Sequence, residues 1–273
     1  MAKRTESGAG AGKAAGKAAV KAAAKAPSKG AAGSKPEEGG SGPPAKAGAP
    51  LLPEGVDLSP EALARRMLAR HRATIRVKKP GVAVPRLAQI AQATLTLANK
   101  SGFHSMSLRD LSEGTGLSMG ALYAYFSSKE TLLSMILDTV AEVVEEVLGH
   151  PPEGLADPRA RLAWLIGAHV ALTEAMPDWF TFVYMEAKAF PPQARARAVA
   201  SEARTEALFA GVIEEGRARG VFQVDDVAMA AALIKPMVQD WYVKRSKYRR
   251  RGISPERFAS SLSAFAQRAL GAG

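Results

Sequence analysis

The sequence predicts an all-α protein. From Arg86 onward apolar residues recur at helical spacing, several of these stretches open on a Ser or Asp followed by Pro or an acid, and no stretch reads convincingly as a strand. Ahead of this part lie some 80 residues of a different composition. Taken in order, the chain divides into a tail over 1–57, a basic helix and arm over 58–84, a helix-turn-helix unit over 85–130 and a helical domain over 131–273.

Residues 1–50 are Ala, Gly, Lys, Pro and Ser with little else, and Val20 is the only large apolar residue after Met1. Such a segment buries too little apolar surface to offset its chain entropy, so the tail reads as disordered. Lys13, Lys17, Lys21, Lys25 and Lys29 recur every four residues and would share a face if a helix formed. A solubilising linker and a loose, non-specific DNA tether both fit this pattern. Next, Ser59-Pro60-Glu61 reads as N-cap, first-turn proline and first-turn acid. Leu63, Met67 and Leu68 give a partial apolar stripe, and seven cations follow between Arg65 and Lys79. This predicts a short basic helix running into an extended arm that ends at Pro80-Gly81 and Pro85. The arm either crosses phosphates or a minor groove, or merely keeps the protein soluble.

In the ordered part, Leu87, Ile90, Ala91, Leu95 and Ala98 line one helix face, and Ser101-Gly102 stops that helix. Ser107 and Asp110 have capping-box spacing and open a second helix ending near Gly114. Gly116-Leu117 turns the chain, and Ser118 caps a third helix reaching Phe126. A long fourth helix starts at Ser127-Ser128-Lys129-Glu130. After the break at Gly149–Pro152 come a helix capped by Asp157, an aromatic-rich helix after Met176-Pro177, and a long Ala-rich helix closed by Gly220. A helix from Asp226 to about Arg250 follows, with Pro236 as a kink, and Ser254-Pro255-Glu256 caps the last. About nine helices are expected after the basic segment.

The net charge is +11, and it is uneven: residues 1–80 hold 16 basic and 6 acidic side chains, residues 81–273 hold 21 and 20. The excess points to a polyanion. There is no Cys, which excludes disulfides, thiol catalysis and Cys-ligated zinc. His71, His104, His150 and His169 are scattered, so no metal site is expected. No nucleophile or acid–base constellation suggests an enzyme, and no cofactor is expected. No apolar run approaches a bilayer span, and the N-terminus lacks the apolar stretch of a secretory signal. The composition fits a cytoplasmic, nucleoid-associated protein.

Two short helices joined by a Gly-containing turn and braced by a preceding helix form a helix-turn-helix, whose last helix lies in the major groove. Ser118, Met119, Gly120 and Ala121 at its start are small or flexible, which suits close approach to bases. Tyr123 and Tyr125 carry hydroxyls that reach phosphates. Ser107 and Lys129 sit at helix N-termini, where anions are favoured.

The string GLSMGALYAYFSSKETLL, with Ile90-Ala91, Leu95, Gly102-Phe103 and Ser107-Leu-Arg-Asp-Leu111 ahead of it, closely resembles the DNA-binding domain of TetR/AcrR-type bacterial regulators over residues 86–137. The region 155–273 is similar in length and helical make-up to the effector-binding and dimerisation domain of that family. The resemblance implies a sequence-specific transcriptional regulator: a homodimeric repressor that binds a pseudo-palindromic operator on double-stranded DNA and leaves it on binding a small molecule. Residue by residue, Ser118, Met119, Gly120 and Ala121 would face bases and adjacent backbone, and Ser107, Tyr123, Tyr125 and Lys129 would hold phosphates. Arg109 would touch phosphate or pair within its helix. Met106 replaces the Thr usual before the second helix, and Ser112 the usual Ala. The alternative is an architectural protein that coats DNA through its Lys-Ala tail.

Trp179, Phe180, Phe182, Tyr184 and Met185 are core or the lining of an inducer cavity. The lining candidates are Trp164, Trp179, Phe182, Met185, Met237 and Trp241. Glu174, Glu186 and Lys188 read as surface charges. The run KRSKYRRR at 244–251 is a solvated helix end or a dock for an anionic ligand, and its surroundings are similar to regulators of fatty-acid or aromatic acyl-CoA metabolism. Phe258, Leu262 and Phe265 are the expected dimer contacts.

Overall fold

The computed structural model describes residues 52, 53 and 55–272. The tail expected over 1–57 falls almost wholly outside the described residues. Within them every regular element is helical: α1 (Pro60–Arg70), α2 (Pro80–Ser101), α3 (Leu108–Thr115), α4 (Met119–Leu122), α5 (Lys129–Leu148), α6 (Pro158–Ala175), α7 (Pro177–Glu186) with a 3-10 turn at Ala187–Ala189, α8 (Pro192–Ala218), α9 (Val227–Val243), α10 (Arg245–Arg250) and α11 (Pro255–Ala269).

The helix starts follow local chemistry. Ser59, Ser107, Ser118, Ser128, Asp157, Asp226 and Ser254 each accept a backbone N–H of the turn they open. Ser107 and Asp110 form the reciprocal box that their spacing predicts. Gly116 ends α3 at φ 65°, a left-handed conformation that favours glycine.

Three boundaries differ from the sequence pattern. The first helix of the helix-turn-helix unit begins at Pro80 and runs through Pro85. Pro85 forfeits a hydrogen bond near the helix start, but Ala83, Val84, Leu87 and Ala88 are buried around it, and that burial outweighs the loss. The third helix is short: α4 has four residues, and Tyr123–Phe126 turn towards α5. The helix expected over 226–250 breaks at Lys244, whose backbone leaves the helical region. The break brings Lys244, Lys247 and Tyr248 together onto the Asp240 carboxylate.

The basic helix is an integral part of the fold. α1 lies across α2 and α5 and buries Leu63, Met67 and Leu68, and Ile75 behind it is fully buried. Its guanidinium groups reach α5: Arg66 forks onto Glu146, and Arg70 meets Asp138 at 3.7 Å. Asp138 also takes Arg197 from α8. Beyond α5, α6 packs against α8, α9 and α11, and α7 sits between α2 on one side and α9 on the other.

A candidate nucleic-acid interface and an effector cavity

The helix-turn-helix is fixed from behind. Gln89 in α2 donates to the Thr115 carbonyl at 2.7 Å, and the Ser112 hydroxyl donates to the Leu117 carbonyl, so the Ser in place of Ala closes the turn. In front, the structure brings Ser118, Met119, Gly120, Ala121 and Tyr123 onto one short projection. Ser118, Met119, Gly120 and Tyr123 are exposed and Ala121 is half-buried. A Cβ at Gly120 would meet no atom within 4 Å, so this face is open to a partner. Leu122 and Phe126 are buried beneath it.

The other four candidates do not join that face as free groups. Tyr125 is 4% exposed against 42% for Tyr123: its ring turns into the core, and burial raises its hydroxyl pKa. Ser107 is exposed, but its N–H and hydroxyl both donate to Asp110 at 2.8 Å, so a carboxylate occupies the donors expected to hold phosphate. Arg109 pairs with Glu113 within its own helix at 3.2 Å. Lys129 is committed elsewhere. Its ammonium donates to the carbonyls of Phe103, His104 and Met106 at 3.0, 2.9 and 2.9 Å and lies 5.0 Å from the Phe103 ring centre. Three donors meet three acceptors, so Lys129 stitches α5 to the loop before α3 and holds no free donor for DNA.

A cavity of about 560 Å³ opens among α5, α6, α7, α8 and α9. Val140 and Val144, Phe180 and Val183, and Ala198 and Val199 supply apolar wall. The polar group is Lys235, Gln239, Glu202, Thr205, His169 and Tyr242. Lys235 is 4% exposed, with its ammonium 3.9 Å from Glu202, while Gln239 donates to the same carboxylate oxygen at 2.8 Å. Burial lowers the Lys235 pKa to about 8 against the pull of Glu202 and Glu206. Burial, with Lys235 adding to it, lowers His169 to about 3, so its imidazole is neutral. His169 Nδ1 is buried and has no hydrogen-bond partner among the described residues. Burial also raises the Tyr242 hydroxyl.

Of the six lining residues expected from sequence, only Met185 reaches this cavity. Phe182 is fully buried against Phe103 and Phe190, with ring centres 5.6 Å away in each case. Trp241 donates to Glu174 and stacks on Tyr248, Trp179 lies by α1 and α2, Trp164 lies by α8, and Met237 lies on the outer side of α9. Of the aromatic cluster, Phe180 and Tyr184 do reach the cavity, beside Tyr242 of α9 and the smaller Val and Ala side chains. The overlooked signal is Lys235, a lone charge inside the apolar run AALIKPMV. Of the charges read as surface, Glu174 takes Trp241 and Arg245 and Glu186 accepts the Phe103 N–H at 2.7 Å, while Lys188 is exposed at the cavity rim. In the basic run at 244–251, Lys244 and Lys247 pair with Asp240 and Arg245 with Glu174, while Arg249, Arg250 and Arg251 stay exposed.

Helix α7 serves both regions. It supplies Phe180, Val183, Tyr184 and Met185 to the cavity. Asp178 in the same helix accepts from Asn99 of α2 at 3.1 Å, and Glu186 holds the loop after α2. Among the described residues no group of three or more His, Asp or Glu side chains is placed to hold a metal ion, and no helix is long and apolar enough to cross a membrane.

A short α4 that buries Leu122 and presents its other residues outward, braced on a turn, suits a protein that reads DNA. The protein is a DNA-binding transcriptional regulator. Residues 90–136 match the family described as bacterial regulatory proteins, tetR family, and residues 155–269 match the tetracyclin repressor-like C-terminal domain. The chain belongs to the TetR family. It is 24% identical over 168 residues to the HTH-type transcriptional regulator HbdR of Aromatoleum sp. (strain CIB), covering 62% of this chain and 73% of that protein. Its fold is similar to a tetR-family regulatory protein from Rhodococcus RHA1, with TM-score 0.61, 21% identity, and 68% and 97% of the two chains covered. It is similar also to AibR, solved with isovaleryl coenzyme A and operator DNA, with TM-score 0.57, 18% identity, and 66% and 97% covered.

Proposed function

We propose that this protein is a homodimeric repressor that leaves a pseudo-palindromic operator when a small molecule fills the cavity among α5–α9. The observation that carries this reading is the double engagement of α7, which walls the cavity and grips α2 and the loop before α3. A ligand pressing on Phe180 or Met185 moves the helix that orients the DNA-binding head. The α4 projection, with Met119 and Ala121 towards bases and Tyr123 towards phosphate, is the reading element. Phe258, Leu262 and Phe265 line one hollow with Met237, and the exposed Phe265 of α11 is the natural subunit contact.

The cavity chemistry favours an amphipathic effector. An apolar body fits the Val and Phe walls, and an acceptor-rich head meets Lys235 and His169. An acyl-CoA fits this class, as does a free carboxylic acid of similar body. The isovaleryl coenzyme A bound by AibR supports that choice. The test is enrichment of genomic fragments by the purified protein, followed by footprinting with and without short- and long-chain acyl-CoA thioesters. A shared palindrome whose protection fades with one thioester is the expected result. Enrichment without any common sequence would instead favour the architectural reading and overturn this one.

A further inference from the structure

The basic extension divides into two parts with different surroundings. The cations of α1 are neutralised internally: Arg65 pairs with Asp57 at 3.6 Å, Arg66 with Glu142 and Glu146, and Arg70 with Asp138 and Glu142. Beyond α1 the pattern stops. Arg72, Arg76 and Lys79 are exposed, and no Asp or Glu among the described residues forms an ion pair with any of them. Yet this segment is well anchored. Ile75 is fully buried, Lys78 folds back to donate to the carbonyls of Arg72 and Ile75, and the Arg76 N–H donates to the Ala124 carbonyl at 2.8 Å. Ala124 directly follows Tyr123, the C-cap of α4. Three unneutralised cations are therefore fixed to the back end of the reading element.

The DNA-binding unit itself has little positive charge to offer. Residues 85–130 contain four cations, Arg86, Lys100, Arg109 and Lys129. Arg109 is paired with Glu113 and Lys129 is held by three carbonyls. A duplex presents one negative charge per roughly 1.7 Å of its axis, and affinity depends on neutralising several of them.

We propose that Arg72, Arg76 and Lys79 form a second DNA-contact surface, which grips the phosphodiester backbone beside the groove that α4 enters and supplies the electrostatic attraction that the helix-turn-helix lacks. The contact is to phosphates, so it strengthens binding to any sequence and leaves base choice to α4. The anchoring through Ile75 and Ala124 makes it a fixed clamp rather than a loose tether. The proposal rests on α4 being the element that enters the groove.

Fluorescence anisotropy with a random-sequence duplex and with an enriched operator fragment, at KCl from about 50 to 200 mM, tests it. The variant Arg72→Ala/Arg76→Ala/Lys79→Ala is expected to flatten the log–log salt slope by about 0.9 per lost phosphate contact, up to about 2.7 per subunit. It should weaken both duplexes alike and keep the operator preference. Arg65→Ala removes a single charge that is already paired with Asp57 and should keep the wild-type slope. Single Arg76→Gln and Lys79→Gln substitutions, each with a wild-type circular dichroism spectrum, give the same reading if the triple variant is poorly folded. A wild-type slope in the triple or both single variants, or an Arg65→Ala slope that flattens as much per charge, overturns the proposal. Failure of the wild-type protein to prefer any operator would strike the repressor reading instead.

Discussion

The main-chain N–H of Phe103 donates to the Glu186 carboxylate at 2.7 Å. The bond joins the loop ahead of α3 to the last residue of α7, 83 positions away in sequence. A hydrogen bond to a charged group contributes about 1.5–3 kcal/mol where it is well made.

Glu186→Ala should therefore lower stability by roughly 1–2 kcal/mol, since Glu186 is only half-buried. It should also blunt the release of operator by effector, because α7 loses one of its grips on the DNA-binding unit. Glu186→Gln, which keeps a neutral acceptor, should fall between. Urea unfolding and an effector titration by anisotropy measure the two effects. An unaltered effector response in the alanine variant would remove this bond from the coupling route.

Lys129→Met should leave the three carbonyls of Phe103, His104 and Met106 without their shared donor. A loss of about 1–3 kcal/mol in stability is expected, together with weaker binding to every DNA sequence. The salt slope is the discriminating measurement. It should stay at the wild-type value, because the Lys129 ammonium spends its three donors on these carbonyls. A slope flattened by about 0.9 would return Lys129 to the DNA interface.

Lys235 gives a pH dependence of stability. Its amine has a pKa of about 8 in the folded protein against an ordinary value of 10.5. Between these values the unfolded chain holds the proton more tightly, so stability rises with pH across that window. The gain is complete above the ordinary value and is lost as pH falls through about 8. Lys235→Met should abolish this rise and stabilise the protein near pH 7. Thermal midpoints at pH 7 and 9.5 decide it: a steep rise retained in the methionine variant would assign the effect to another group. The same variant should weaken binding of acyl-CoA or carboxylate ligands at neutral pH.

Phe265 is 51% exposed on α11, and Met229 and Leu233 are exposed on α9. Phe265→Glu should convert a dimer into monomers at micromolar concentration, with little change in thermal stability of the subunit core. Light scattering reads the mass. A monomeric wild-type protein, or a variant that stays dimeric, would move the interface elsewhere.

Legibility followed the range of the forces. Helix starts were readable because a cap needs only residues two or three apart, as at Ser107 and Asp110. The α4 projection is legible for a similar reason, since its turn and small residues are contiguous. Tyr123 and Tyr125 show where local pattern stops. They are the same residue two positions apart, and packing turns only the second into the core. Lys129 reads as an exposed helix start, but the carbonyls it binds lie 23 to 26 residues back. The cavity is least legible because its wall draws Ala198 and Val199 from α8 and Lys235 from α9, and because the aromatic cluster divides: Phe180, Tyr184 and Met185 line the cavity while Trp179 and Phe182 pack elsewhere. The short α4 and the break at Lys244 likewise depend on what the chain meets next.

The family match begins at residue 90, but the buried core begins some thirty residues earlier. Leu63, Met67, Leu68 and Ile75 are buried by α2 and α5. Full burial of each such side chain contributes about 1.5–3 kcal/mol. Together they amount to roughly 6–12 kcal/mol, comparable with the whole stability of a typical domain. A protein shortened to the family boundary would thus bare an apolar strip along α2 and α5 and would aggregate rather than bind DNA weakly. A start at Leu52 keeps that strip covered and with it Val56 and Leu58, which pack against the same core.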